Sequence, residues 1–221
     1  MRQHVPGTSR ESGLSTPRAA GFAGVAFAVL LGAAIVLVRT ALPSGDAGGE
    51  DVTLDEGGRT ALSAAVHVVP FAGIAFLWFM GALRAHTGEA EDRFLATVFL
   101  GSGLVFVAAL FGATAAAGTV LASARPEAFG RHFAYTLLTT YAMRMAAVFV
   151  FATSAIGRRL GVLPRPLNAF GYLVGLALLV VGSSVPWSEL VFPVWALVIS
   201  LYVLRAARRG PQRARHSDGS A

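Results

Sequence analysis

The sequence predicts an all-α protein, a polytopic transmembrane helical bundle of about six helices, and three observations predict it. Of the 221 residues, 55% are hydrophobic and only 14% are charged, whereas soluble domains carry about a quarter charged residues. Apolar runs of about 20 residues, the length that crosses a bilayer as a helix, recur with short polar breaks between them. The charges that remain are placed asymmetrically, which is the signature of membrane insertion.

Taken in order, the chain opens with a polar stretch, residues 1–18, rich in Arg, Pro, Gly and Ser and expected to be a disordered tail. Span one runs from Ala19 to Val38 and ends at Arg39. It is longer than the apolar core of a signal peptide and lacks a convincing cleavage signature, so an uncleaved anchor is expected. Span two, Leu62–Leu83, contains His67 and Pro70; a proline inside a helix frees a carbonyl and loosens the turn before it. Span three, Phe94–Ala122, belongs to a charge-free stretch too long for one upright helix across a hydrocarbon core of about 30 Å, so it is expected to tilt or to emerge at its Ala/Gly-rich end.

Span four, Phe133–Ile156, carries Arg144 near its centre. Span five, Leu167–Val185, and span six, Trp187–Leu204, follow, with Trp187 and Tyr202 placed for interfacial belts. The transmembrane domain thus covers residues 19–207, and residues 208–221 form a basic tail. All 18 basic residues are arginine. With the N-terminus inside, thirteen fall in tails and loops on the cytoplasmic side, while Arg39, Arg59, Arg125 and Arg131 fall on the other. That bias predicts a multi-pass protein of the bacterial inner (cell) membrane with both termini in the cytoplasm. The net charge of +6 is therefore explained by topology and calls for no nucleic acid; the partner it does imply is the lipid bilayer.

Several chemistries are excluded. Cysteine is absent, which removes disulfides, thiolate metal sites and cysteine nucleophiles. HExxH, the P-loop and any lysine are missing, so a zinc protease, a phosphate-cradling loop and a Schiff base have no residues to work with. No metal and no cofactor are expected. Asp46, Glu50, Asp51, Asp55 and Glu56 lie among glycines without the ordered spacing of an EF-hand and read as a solvated loop.

The residues left to carry chemistry are few. Arg144 sits too deep to reach water by snorkelling, at a cost of about 2.5–3.5 kcal/mol for insertion, and such residues usually face a bundle interior or a wet cavity. His132, Thr136, Thr140 and Arg144 recur at four-residue spacing along one side of the helix, with Tyr141 one turn away. This side is expected to face inward, either as packing glue or as the lining of a site for a lipid phosphate, a carboxylate or a small anion. His67 is read as a hydrogen-bonded packing residue and Glu189 as a solvated interfacial acid; only if spans two, four and six converge do His67, Arg144 and Glu189 form a stepped polar path. The small-residue pairs Gly171/Gly175 and Ala108/Gly112/Ala116 allow close helix approach, inside the monomer as readily as between copies.

The stretch from Gly157 to Tyr172, GRRLGVLPRPLNAFGY, leading into a glycine-rich helix, together with the six-span layout and the arginine-only composition, resembles multi-spanning membrane proteins of high-GC actinobacteria. The resemblance covers spans four to six and implies a fold without an activity, and no functional residues come with it. The expectation is a non-enzymatic transporter-like, sensing or accessory bundle in which an interior arginine, with Thr140, Tyr141, His67 and Glu189 as further ligand-binding candidates, contacts an anion or an anionic lipid headgroup. The alternatives are a lipid-modifying enzyme using His67 as acid or base beside Arg144, and a structural subunit of a membrane complex.

Overall fold

The structure, a computed structural model, describes residues 16–41, 56–87, 93–122, 128–181, 185 and 187–217. The sequence readings of residues 1–18 as a tail and of Asp46 to Glu56 as a solvated loop lie mostly outside these residues; where they are described they are corrected, because residues 16–18 are the first turn of the first helix and Glu56 is the first residue of the second. The protein is an all-α helical bundle, and five of its helical spans are long and apolar enough to cross a membrane.

Helices α1 (Thr16–Ala41), α2 (Glu56–Thr87) and α3 (Arg93–Ala122) are each continuous, including α2 through Pro70. The fourth span is composite. It comprises α4 (Ala128–Thr136), a π-helical segment (Leu137–Ala142) and α5 (Met143–Arg159), and together they form an apolar span of 31 residues from Phe129 to Arg159. After the turn at Gly161, where φ is +65° and a side chain would be strained, α6 covers Arg165–Val180. A 3-10 turn (Ser188–Leu190) then leads into α7 (Val191–Ser217).

Span five is shorter than the sequence reading placed it. Helix α6 has 16 residues, about 24 Å at 1.5 Å per residue, which falls short of a core of about 30 Å. It stops before the run Gly182-Ser-Ser-Val-Pro186, whose glycine and proline oppose further helix. Its direction is nevertheless fixed by its neighbours. Gly21 lies against Leu204 and Gly24 against Ser200, while Arg39 at the far end of α1 pairs with Glu189 at the start of α7. Those pairings make α1 and α7 antiparallel, so α6 must carry the chain from the Arg159 end of the bundle to the Glu189 end. Among the described residues the helices run through the bundle six times, five with a length that can cross a membrane and one shorter.

The centre of the bundle is aromatic. Phe27 (α1), Phe76 (α2), Phe106 (α3), Phe149 (α5) and Phe192 (α7) are fully buried, and Phe76 has ring centroids 4.9 Å from those of Phe27, Phe106 and Phe149. Tilted and edge-on ring pairs of this kind contribute beyond their area. Helix α6 adds no ring to this cluster; it packs through Gly171 and Gly175, where any Cβ would press on Ser154 and Phe151 of α5. The GxxxG pair is thus used inside the monomer. Trp78, Phe71, Phe94 and Phe22 point outward and are 72%, 64%, 71% and 63% exposed, a surface suited to lipid.

Candidate functional site

The expected inward side of span four faces outward. His132, Thr136, Tyr141 and Arg144 are exposed and Thr140 is half-buried, whereas Arg131, Thr139, Ala142, Met143, Ala146 and Ala147 are buried. The four-residue spacing placed the polar residues together correctly but could not say which side the neighbours cover. Physically, the side rich in alanine and methionine packs on α3 and α6, because small and adaptable side chains permit close approach. Arg144 stands fifteen residues from each end of the Phe129–Arg159 span, and it has no hydrogen-bond or ion-pair partner among the described residues. Its helix carries the π-helical segment two residues before it. Thr139, in that segment, donates back to Tyr135 O of α4 at 2.9 Å, and π segments of this kind are frequent at functional sites. No pattern in the sequence announced it.

Glu189 is the second reversal. Instead of a solvated interfacial acid it is buried, with its side chain 3% exposed, and it accepts a charge-assisted hydrogen bond from Arg39 Nη2, whose side chain is 14% exposed. Glu189 Oε2 has no hydrogen-bond partner among the described residues. The turn that delivers Glu189 begins at Trp187, a bulky residue held at φ 70°, a conformation that L side chains adopt at a cost of about 1–2 kcal/mol. The two charges sit at the ends of α1 and α7, and their pairing ties those helices together. The sequence signal was present but faint: Glu189 is the one acid within any predicted span.

His67 is exposed, and its Nδ1 donates to Ser63 O one turn back in its own helix at 2.7 Å. It lines an open groove of about 590 Å³ with Glu56, Arg59, Thr60, Ser63, Ala64 and Leu121. Arg59 Nη2 in turn donates to Leu121 O at 2.9 Å and so caps the end of α3. Arg144 is not part of this groove. His67, Arg144 and Glu189 therefore occupy three different settings, an end groove, an outer helix face and a buried ion pair, and they do not form the stepped path.

The interior arginine that the sequence reading sought is elsewhere. Arg131, counted from sequence only as a loop-side charge, is buried with 8% exposure. It lines a half-open cavity of about 80 Å³ between α1, α2, α3 and the start of the fourth span, whose other walls include Val38, Val66, Val69, Leu110 and Leu138. Among the described residues no group of three or more His, Asp or Glu is arranged to hold a metal ion. No protein-family model, no curated protein and no solved structure matches this chain.

Proposed function

We propose that the protein is a non-enzymatic accessory subunit of a membrane complex, set in the cell membrane with both termini in the cytoplasm, in which Arg144 contacts an anionic group presented from outside the bundle. Thr140 and Tyr141 share that face and flank the contact. The observation that carries this reading is the position of Arg144: mid-span, on an outward face, with no partner of its own among the described residues. An arginine left in hydrocarbon costs about 2.5–3.5 kcal/mol even by insertion scales, so the bound state is expected to supply an anion.

Depth selects among anions. A headgroup phosphate lies about 15 Å from the bilayer centre, farther than an arginine side chain extends, and reaches Arg144 only if the bilayer thins. A second copy of this chain brings no carboxylate to that depth, because Asp and Glu are absent from the interior of every span. The remaining source is an aspartate or glutamate within a helix of a different membrane protein, for which arginine is a geometrically suited partner. The lipid-modifying alternative required His67 and Arg144 to share a cavity, and the groove at His67 excludes Arg144; Glu189 is read as part of the scaffold.

The test is photo-crosslinking in cells from a photoreactive residue placed at Tyr141, with the exposed Leu173 of α6 as the control position. The expected product at Tyr141 is one membrane polypeptide with an acidic residue inside a span, and its yield drops at least tenfold in Arg144→Leu. Crosslinks to lipid alone, or equal yields with and without Arg144, overturn the proposal.

A further inference from the structure

We infer that the outside helix met by Arg144 lies along the seam between α5 and α6, with its carboxylate held jointly by Arg144 and the Tyr141 hydroxyl. This rests on the reading of Arg144 above and adds where the partner sits and how deep its acid stands. Contacts define the seam. A Cβ on Gly171 would meet Ser154 Oγ, and one on Gly175 would meet the Phe151 ring. The Phe151 and Tyr172 ring centroids are 6.2 Å apart, and the Arg158 guanidinium stands over the Tyr172 ring, 5.8 Å from its centroid. Phe151 and Arg158 are therefore on the side of α5 that turns toward α6.

Arg144, Phe151 and Arg158 follow one another at seven-residue spacing within α5, and seven residues return an α-helix to the same side within about 20°. Because α5 and α6 run antiparallel, seven residues back from Phe151 and seven on from Tyr172 arrive at Arg144 and Leu179, abreast of each other. Leu179 is exposed, and α6 ends one residue later at Val180. The helix that flanks α5 from Arg158 onward thus stops at the level of Arg144, which accounts for the exposure of the guanidinium on this flank. A carboxylate suits the point. The guanidinium offers paired donors to it, and Tyr141, exposed one turn earlier, offers a hydroxyl donor. Neither side chain has a hydrogen-bond partner among the described residues. Fourteen residues separate Arg144 from Arg158, about 21 Å by helical rise. The partner's acid therefore stands about 14 residues in from the end of its helix that lies beside Arg158.

The test extends the crosslinking in cells to three further positions of the full chain, all exposed: Leu179 on the seam, Val105 on the α3 flank, and Leu173, one position on from Tyr172 and turned away. Leu179 is expected to capture the polypeptide that Tyr141 captures, with at least a tenfold loss in Arg144→Leu, whereas Val105 and Leu173 capture it at least tenfold less. The captured span carries its Asp or Glu about 14 residues from one end. Leu179→Trp, which adds bulk to the seam and leaves Arg144 and Tyr141 in place, lowers capture from Tyr141 at least tenfold, and Leu173→Trp leaves it unchanged. Tyr141→Phe, read from Leu179, lowers capture severalfold. Capture from Val105 in place of Leu179 overturns the seam while the contact at Arg144 stands, and so does unchanged capture in Leu179→Trp. An acid near either end of the captured span, or full capture in Tyr141→Phe, overturns the jointly held carboxylate. Absence of any product at Tyr141 overturns the Arg144 reading and this inference with it. Should Leu179→Trp fail to reach the membrane, the pattern of capture across the four positions decides the question.

Discussion

Arg39 and Arg144 are the same residue type in two apolar helices, and the bundle treats them in opposite ways. Arg39 ends α1 at the expected water interface, yet it is drawn into a part-buried pair with the buried Glu189. Arg144 lies at the middle of its span, where burial was expected, yet it is exposed on the outer face. Depth along a helix sets the cost of a charge, while the helix's rotation about its own axis sets what meets it. A charge with an acid from another helix beside it becomes part of the scaffold; a charge turned away from every helix of its own chain is left for something outside.

That contrast is broken most forcefully at Glu189. In Glu189→Leu the part-buried Arg39 guanidinium loses its carboxylate, and the loss approaches but does not exceed the about 3–5 kcal/mol of breaking a fully buried pair; unfolding in mixed detergent micelles measures it. Replacing both members in Arg39→Met/Glu189→Leu is expected to restore most of that stability, because well-packed apolar substitutes for a buried pair are near neutral or better. If single and double variants lose stability equally, the two side chains do not act as a pair.

Arg144→Leu has the opposite sign. Membrane insertion of the Phe129–Arg159 span improves by about 3–4 kcal/mol, the sum of the arginine penalty and the leucine gain, as read by a translocon insertion assay. Unfolding of the whole protein in micelles changes by less than about 0.5 kcal/mol, the range of surface substitutions. A loss of several kcal/mol in micelles instead makes Arg144 a packing residue and removes the contrast with Arg39. His67 sharpens the comparison at its weak end. Its ring is exposed and among the described residues is bonded to Ser63 O of its own helix alone, so His67→Ala shifts micellar stability by less than about 0.5 kcal/mol.

The architecture was legible because hydrocarbon leaves a chain so few options. A backbone without water must satisfy its own polar groups, which makes every long apolar run a helix, and the runs can be read directly; the starts and ends of α2 and α3 differ from the expected spans by a few residues of polar extension. Span five was overestimated because Gly182, Ser183 and Ser184 are mild enough in hydropathy to hide a helix end. The grouping of Thr140, Tyr141 and Arg144 was also legible, from helical spacing alone. What spacing does not contain is a partner, so it could not tell an inner face from an outer one.

By itself, then, the chain's pattern of oily and charged residues determined the helices, their number and the face each polar residue shares, since these follow from the rise and pitch of one helix and from the solvent around it. Only the tertiary structure decided that Glu189 meets Arg39, that Gly171 and Gly175 serve the monomer, that Arg131 is buried beside a cavity and that Arg144 is turned outward. Each of those outcomes depends on how helices are rotated against one another, and that rotation is settled by the close approach of glycines and the interlocking of Phe27, Phe76, Phe106, Phe149 and Phe192, contacts between residues far apart in the chain.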